Sequence, residues 1–220
     1  MRILVISPHS DDELIGVGGS LLKWKALGHD IKILLVCCSD VYMLHLKGEA
    51  LASTRRNEFL KSNALLATED PVILGYEDSK LDTYPQSQLV SILDSEIDRF
   101  KPNMFIYPEP SYHQDHQYVS YACNASLRPT KEFRPSTILN YEIPTSTWTG
   151  NGKKFEPNYF VDVSETMDQK LDAFQRIYES QVSESRKKLA LKGIADHARY
   201  RGMECGVEYA ESFQLLFELN

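Results

Sequence analysis

The stretch Arg2-Ile3-Leu4-Val5-Ile6-Ser7 is a continuous apolar run that is typical of a buried strand in a parallel sheet. Residues 13–27 follow with apolar side chains at helical spacing, and Gly28 ends that helix. A second apolar run, Ile31 to Cys38, is also typical of a strand covered on both faces. The beginning of the chain therefore predicts a β-α-β unit with parallel strands.

Strands and helices continue to alternate, which predicts a single α/β domain over residues 1–220. We expect a Rossmann-like, doubly wound, mainly parallel sheet with helices on both faces. The further predicted strands are Pro71 to Leu74, Met104 to Tyr107, Ser136 to Glu142 and Asn158 to Val163. The further predicted helices are Glu49 to Leu66, Ser87 to Phe100, Asp115 to Leu127, Glu165 to Gln181 and Tyr209 to Leu219. The polar stretch Thr145 to Pro157 is the candidate for a mobile loop.

Composition excludes several classes of protein. The 24 Lys and Arg against 31 Asp and Glu give a net charge of −7, which leaves no general basic field for a nucleic acid. No apolar run approaches the roughly 20 residues that cross a bilayer, so we expect a cytosolic protein without a membrane span. The four cysteines lack Cys-x-x-Cys spacing, and we expect them to be small buried apolar residues: Cys37, Cys38, Cys123 and Cys205.

Two clusters of polar residues follow predicted strands. Pro8-His9-Ser10-Asp11-Asp12-Glu13 follows the first strand, and His113-Gln114-Asp115-His116 follows the strand at 104–107. Ligands of open α/β sheets bind outside the carboxyl ends of the strands. Neighbouring carboxylates there repel each other unless a cation or a proton holds them, so the clusters favour a divalent metal bound by His9, Asp12 and His116.

Simpler explanations exist for each cluster alone, because a lone His-x-x-His or an Asp-Asp pair is often a helix cap or a solvated turn. Asp11, Asp12 and Glu13 also suit the N-terminus of a helix, where acidic side chains cap and complement the dipole. Gly16, Gly18 and Gly19 do not meet the Gly-x-Gly-x-x-Gly spacing of a dinucleotide site, and we expect them to allow close packing instead. The presence of both clusters at predicted strand ends favours the metal site.

The two clusters resemble the Pro-His-x-Asp-Asp-Glu and His-x-Asp-His motifs of the PIG-L/LmbE-like zinc-dependent N-deacetylases. The resemblance spans nearly the whole chain and includes, among others, Glu142, Lys170, Arg201 and Glu211. It implies that His9, Asp12 and His116 bind one Zn²⁺, with Fe²⁺ or another divalent ion as alternatives. It also implies that Asp11 is the general base towards a water that attacks an acetamide carbonyl.

Further roles follow from the same resemblance. His113 would stabilise the tetrahedral oxyanion or protonate the leaving amine, and Asp115 would orient His113 or a ligand histidine. Arg56 and Asp78 occupy the places of family residues that hold sugar hydroxyls or a phosphate. Asp40 and Tyr112 lie where this chain departs from the family pattern, and both are candidates for substrate contact. The implied partner is a small N-acetyl amino sugar or its conjugate, and the family often forms homo-oligomers, as trimers or hexamers.

The leading hypothesis is hydrolysis of an N-acetyl group from an N-acetylglucosamine derivative, which releases acetate and a free amine. One alternative is a non-haem Fe(II) oxygenase, because His9-Ser10-Asp11 with a distant histidine also satisfies a His-x-Asp…His triad. Such sites usually lie on all-β folds, whereas this chain alternates β and α. A third possibility is a non-catalytic sugar-binding module.

Overall fold

A computed structural model describes residues 1–43, 48–144, 155–179 and 184–219. Its strands and helices are β1 (Arg2–Ser7), α1 (Asp12–Ala26), β2 (Asp30–Cys37), β3 (Val41–Met43), β4 (Gly48–Ala50), α2 (Ala52–Leu66), β5 (Val72–Tyr76), α3 (Gln86–Phe100), β6 (Met104–Pro108), α4 (Gln114–Ser126), β7 (Thr137–Tyr141), β8 (Tyr159–Asp162), α5 (Met167–Ile177), α6 (Glu184–Cys205) and β9 (Ala210–Glu218). A 3-10 turn, Leu81–Thr83, lies between β5 and α3.

The main sheet has seven strands in the order β5-β2-β1-β6-β7-β9-β8. The strands from β5 to β7 pair in parallel, and β9 lies antiparallel between β7 and β8. From β1, the chain builds the sheet in one direction through β2 and β5 and in the other through β6 and β7. The crevice between β1 and β6 is therefore the topological switch point, where open α/β sheets bind their ligands.

Helices cover both faces of the sheet, as the sequence predicts. Ile3 and Val5 of β1 belong to one core, together with side chains of α1, α2, α5 and α6. Leu4 and Ile6 belong to the other core, with side chains of α3 and α4. This division follows from the strand period of two, which points successive side chains to opposite faces. The predicted Rossmann-like, doubly wound α/β fold is confirmed.

The prediction for the end of the chain was wrong. Residues 209–219 were expected to be helical, but Ala210–Glu218 form strand β9 between β7 and β8. Phe213, Leu215 and Phe217 alternate with other residues at a period of two, which is a strand pattern. Glu211 is a buried carboxylate of this strand, with 5% of its surface exposed. A lysine from α5 pairs with it and compensates the buried charge.

Other boundaries also differ from the sequence prediction. The helix expected from Glu49 begins at Ala52, after an antiparallel hairpin of β3 and β4. The helix expected over 165–181 is shorter, and α6, with 22 residues, was not predicted. Of the four cysteines expected to be buried, Cys37 and Cys123 are buried, Cys38 is half-buried, and Cys205 is exposed in the last turn of α6.

The described helices and the candidate mobile loop bear on two further predictions. Among the residues that the structure describes, no helix has the length and apolar character of a membrane span. Most of the candidate mobile loop, residues 145–154, lies outside the described residues.

Candidate metal centre and active site

The two polar clusters, residues 8–13 and 113–116, meet at the switch point of the sheet. His9 follows β1, and Asp12 is the first residue of α1. His116 lies in the first turn of α4, the helix that follows β6. Because β1 and β6 are parallel neighbours, both segments leave the sheet at the same edge. The fold thus brings together residues that are far apart in sequence.

The donor atoms of the predicted ligands converge. Asp12 Oδ2 lies 3.3 Å from His9 Nδ1 and 3.2 Å from His116 Nε2. Ligand atoms that bind a tetrahedral zinc ion at about 2 Å lie about 3.3 Å from each other. All three side chains are largely buried, with exposed fractions of 13%, 7% and 7% for His9, Asp12 and His116. Both histidines thus approach one carboxylate oxygen of Asp12, and ligand atoms of His9, His116 and His113 lie within 4.8 Å of one another. These residue types are the donors that a divalent cation such as zinc takes.

The helix-cap explanation holds for one cluster only. Asp11 occupies the N-cap position of α1, but its side chain makes no capping hydrogen bond. His113 does cap α4, since its Nδ1 accepts the backbone N–H of Asp115 at 3.2 Å. A neutral His113 ring therefore carries its proton on Nε2. Such a ring is a hydrogen-bond donor beside the ligand set.

Asp115 forms a hydrogen bond with His9 and lies farther from His113. Its Oδ2 accepts a hydrogen bond from His9 Nε2 at 2.9 Å and another from the backbone N–H of Ser79 at 2.7 Å. His113 Nδ1 lies farther from this oxygen, at 3.9 Å. A carboxylate behind a ligand histidine fixes the tautomer and the ring orientation, so Asp115 directs His9 Nδ1 towards Asp12.

The two imidazoles have opposite electrostatic environments. Burial disfavours a charged His9, but the hydrogen bonds to Asp115 and Asp12 outweigh it and raise the pKa of His9 to about 10. Burial, together with the neighbouring imidazoles of His9 and His116, lowers the pKa of His113 to about 4. The site therefore concentrates negative charge around His9, which is where a cation would reside, and keeps His113 neutral.

Asp11 lies beside this cluster in a strained conformation. Its φ is 151°, a value that L-residues rarely adopt. The backbone N–H of Asp11 donates to Glu13 Oε2 at 3.2 Å, and the buried Glu13 carboxylate also accepts hydrogen bonds from Ser62 and Tyr178. Burial and the charges of Asp12 and Glu13 raise the pKa of Asp11 well above its usual range. Glu13 thus supports the strained turn from within the core.

The model of the PIG-L family, described as GlcNAc-PI de-N-acetylase, matches residues 4–127, which is more than half of the chain. The chain belongs to the PIG-L family. The match contains both histidine clusters, so the resemblance stated from the motifs is confirmed.

Individual proteins resemble this PIG-L chain over most of its length. The diacetylchitobiose deacetylase of Thermococcus kodakarensis is 28% identical, over 98% of this chain and 83% of that protein. A Bacillus subtilis protein named probable N-acetyl-alpha-D-glucosaminyl L-malate deacetylase 2 is 29% identical, over 79% of this chain and 80% of its own length. The solved structure of N,N'-diacetylchitobiose deacetylase from Pyrococcus horikoshii has a TM-score of 0.78 at 23% identity and covers 98% of this chain and 83% of that chain. That likeness supports the fold.

In this PIG-L chain, Asp78 lies at the site in a network that the sequence did not reveal. Its Oδ1 is 4.0 Å from His9 Nε2. Its Oδ2 accepts hydrogen bonds from Arg55 at 2.7 Å and from the Ser39 hydroxyl at 2.9 Å. Arg55 is 2% exposed, whereas its neighbour Arg56 is exposed. The buried arginine was missed because two adjacent arginines give no local signal for which one turns inward.

The other two predicted substrate residues have different surroundings. Asp40 is exposed, and its Oδ1 accepts the backbone N–H of Ala52 at 2.6 Å, at the beginning of α2. Tyr112 precedes His113, and its side chain is 50% exposed. Substrate contact by Arg56, Asp40 and Tyr112 stays a prediction.

A second polar network of this PIG-L chain lies one strand further along the sheet. Glu142, which follows β7, accepts two hydrogen bonds from Arg201 of α6, at 2.6 and 2.8 Å. His197 Nε2 lies 3.4 Å from the same carboxylate. Lys170 of α5 donates to Glu211 of β9 at 2.6 Å. These pairs are buried and attach α5 and α6 to the sheet, which gives a structural role to residues that the motif comparison had singled out.

Proposed function

We propose that this chain hydrolyses the N-acetyl group of a small N-acetylglucosamine derivative and releases acetate and a free amine. The observation that carries the proposal is the convergence of His9, Asp12 and His116 at the switch point, with Asp11 beside them. A set of two histidines and one carboxylate with open positions suits a catalytic metal centre, whereas closed sets of four ligands suit structural ones. Membership of the PIG-L family supports the same reaction.

We infer that His9, Asp12 and His116 hold the metal, and we propose zinc. When bound, zinc would act as a Lewis acid and lower the pKa of water to about 7. Asp115 keeps His9 in the tautomer whose Nδ1 is free to bind, since Nε2 donates to Asp115. The chain thus supplies the three ligand side chains and, through Asp115, fixes the orientation of one of them.

Asp11 is the proposed general base. Its raised pKa makes it a stronger base than an ordinary carboxylate, and its strained backbone holds it beside the ligand set. It would take the proton of the attacking water as the bond to the acetyl carbon forms. The two electrons of the broken C–N bond then go to the nitrogen, which needs a proton to leave as an amine.

His113 is the proposed hydrogen-bond donor. Because Nδ1 accepts the N–H of Asp115, the Nε2–H of the neutral ring is available for the acetyl oxygen as negative charge develops on it. The same position suits delivery of a proton to the leaving nitrogen. Arg56, Asp78, Asp40 and Tyr112 are the proposed contacts of the sugar, and the names of the relatives support an N-acetylglucosamine conjugate as the substrate class.

The oxygenase alternative finds less support. Its triad would use Asp11, but Asp12 is the carboxylate that lies between the rings of His9 and His116. The mainly parallel α/β sheet also differs from the all-β folds that usually carry such triads.

The experiment is acetate release from a panel of N-acetylglucosamine derivatives that are free, phosphorylated, nucleotide-linked, malate-linked or oligomeric. Zinc-loaded and chelator-treated protein are compared on the same panel. Zinc-dependent release from one member supports the proposal and narrows the substrate. If the metal-loaded protein binds an N-acetyl sugar but releases no acetate, the sugar-binding alternative replaces it.

A further inference from the structure

A second group of metal-ligand atoms lies behind His9, on the side away from Asp12. His9, Cys37 and Asp115 each offer one such atom, and the three atoms lie within 4.8 Å of one another. Cys37 is the last residue of β2, and the thiol lies 4.0 Å from Asp115 Oδ2. Both Cys37 and Asp115 are fully buried. The proposed reaction gives no role to the thiol.

One oxygen of this group has no partner. Asp115 Oδ2 accepts from His9 and Ser79, but Oδ1 is buried without a hydrogen-bond partner among the described residues. A buried carboxylate oxygen without a partner costs free energy, and a cation bound there would remove that cost. The buried Asp115 carboxylate therefore keeps one oxygen that could accept a ligand, while its other oxygen faces His9 and the Cys37 thiol.

We propose that Cys37, Asp115 and Nε2 of His9 form a second cation site, selective for thiophilic divalent ions. A thiolate, an imidazole and a carboxylate are the donors that Zn²⁺ and the softer Cd²⁺ take together, whereas Mg²⁺ and Ca²⁺ prefer oxygen alone. Of the three side chains, His9 is the one with surface open to solvent, at 13% exposed. On binding, the metal–sulfur and metal–Nε2 bonds form, and both the thiol proton and the Nε2 proton that His9 donates to Asp115 leave to solvent, without oxidation or reduction.

The second ion excludes the catalytic one, which is the part of the inference that rests on the proposed function. A neutral imidazole has one nitrogen lone pair available for a metal, because the other nitrogen carries the proton. When Nε2 of His9 binds the second ion, the proton of the neutral ring must reside on Nδ1, which takes it from solvent as the catalytic ion leaves and donates it to Asp12, 3.3 Å away. The catalytic ion then loses one of its three ligands. Cys37 therefore makes the enzyme sensitive to inhibition by thiophilic cations.

The direct test is titration of the zinc-loaded protein with Cd²⁺, followed by the ultraviolet charge-transfer band of a cadmium thiolate. We expect a saturable band in the wild type and its loss in both Cys37→Ala and Cys37→Ser. Two replacements are used so that the test still stands if one of the variants fails to fold. Cys38→Ala and Cys205→Ala are the matched controls, because those thiols lie outside the cluster, and they should keep the band. No band in the wild type, or a band that survives in folded Cys37 variants, overturns the site.

The second readout is inhibition, once a substrate is known. Cys37→Ala is expected to keep its zinc-dependent turnover and to need a Cd²⁺ concentration about 10-fold or more higher for half-inhibition. Equal inhibition of wild type and variant overturns the exclusion at His9. Because the thiolate band does not require turnover, a protein that releases no acetate can still confirm the second site while it refutes the proposed reaction.

Discussion

The carboxylate of Asp115 accepts a hydrogen bond from Nε2 of His9 at 2.9 Å, and Nδ1 of the same ring faces Asp12 at 3.3 Å. One imidazole thus links a buried carboxylate to the candidate ligand set. When a metal binds at Nδ1, the arrangement leaves the proton on Nε2, where it is donated to Asp115. The effect of this hydrogen bond on zinc affinity can be measured separately from catalysis.

Asp115→Asn should weaken zinc binding by about 10-fold to 100-fold, because the amide no longer fixes the tautomer of His9. Competition with a metallochromic chelator measures the affinity. Asp82→Asn is the control, since Asp82 is an exposed carboxylate in the nearby 3-10 turn. Unchanged affinity in Asp115→Asn would show that the hydrogen bond does not support the metal centre.

Asp11→Asn should lower kcat by about 10²-fold to 10⁴-fold, which is the usual contribution of a general base. Zinc content should stay at the wild-type level, because Asp12 and not Asp11 lies between the two histidines. Steady-state acetate release and metal analysis of the same preparation check both statements. Full turnover with bound zinc would remove Asp11 from the role of base.

Glu142 should make the protein acid-sensitive in a defined window. Burial opposes its ionisation, but His197 and Arg201 overcome this and lower its pKa from 4.5 to about 2. Because the pKa is lower in the folded state, the stabilisation is complete above about pH 5 and is lost as the pH falls towards 2. A shift of this size corresponds to about 3 kcal/mol.

The free energy of unfolding of wild type and Glu142→Gln should therefore differ most at pH 6, and the difference should shrink steadily as the pH falls from 5 towards 2. Urea unfolding at several pH values measures this difference. Glu204→Gln is the matched control, since Glu204 also pairs with Arg201 but is 35% exposed. If the gap between wild type and Glu142→Gln does not change with pH, the carboxylate is not the source of the acid sensitivity.

Two glycines on helices should respond to alanine in opposite directions. A Cβ at Gly16 of α1 would lie 2.4 Å from the ring of Tyr141, so Gly16→Ala should destabilise the protein by about 1–3 kcal/mol. A Cβ at Gly193 of α6 meets nothing within 4 Å. Gly193→Ala should therefore stabilise the protein by about 0.5–1 kcal/mol through helix propensity. Thermal unfolding of both variants tests the close packing of α1 on β7, and equal shifts would contradict it.

Local sequence was sufficient for the central part of the fold. The apolar runs at β1, β2 and β6 and the helical spacing between them are short-range patterns, so they specify the elements and the order in which they occur. The two histidine clusters are equally local, and their positions at strand ends follow from that order. Strand β9 was misassigned although its alternation at a period of two is a local strand signal, whereas its position between β7 and β8 depends on pairing that the local sequence does not show.

Contacts between distant residues required the folded chain. Asp115 lies 106 residues from His9, and Arg201 lies 59 residues from Glu142. The choice of Arg55 over Arg56 as the partner of Asp78 depends on which side of α2 faces the protein. Periodicity shows which residues are apolar, but hydrogen bonds between buried polar groups depend on atomic positions that arise only when strands and helices pack. For this reason the motifs predicted the ligand set, whereas packing determined the tautomer of His9 and placed Cys37 behind it.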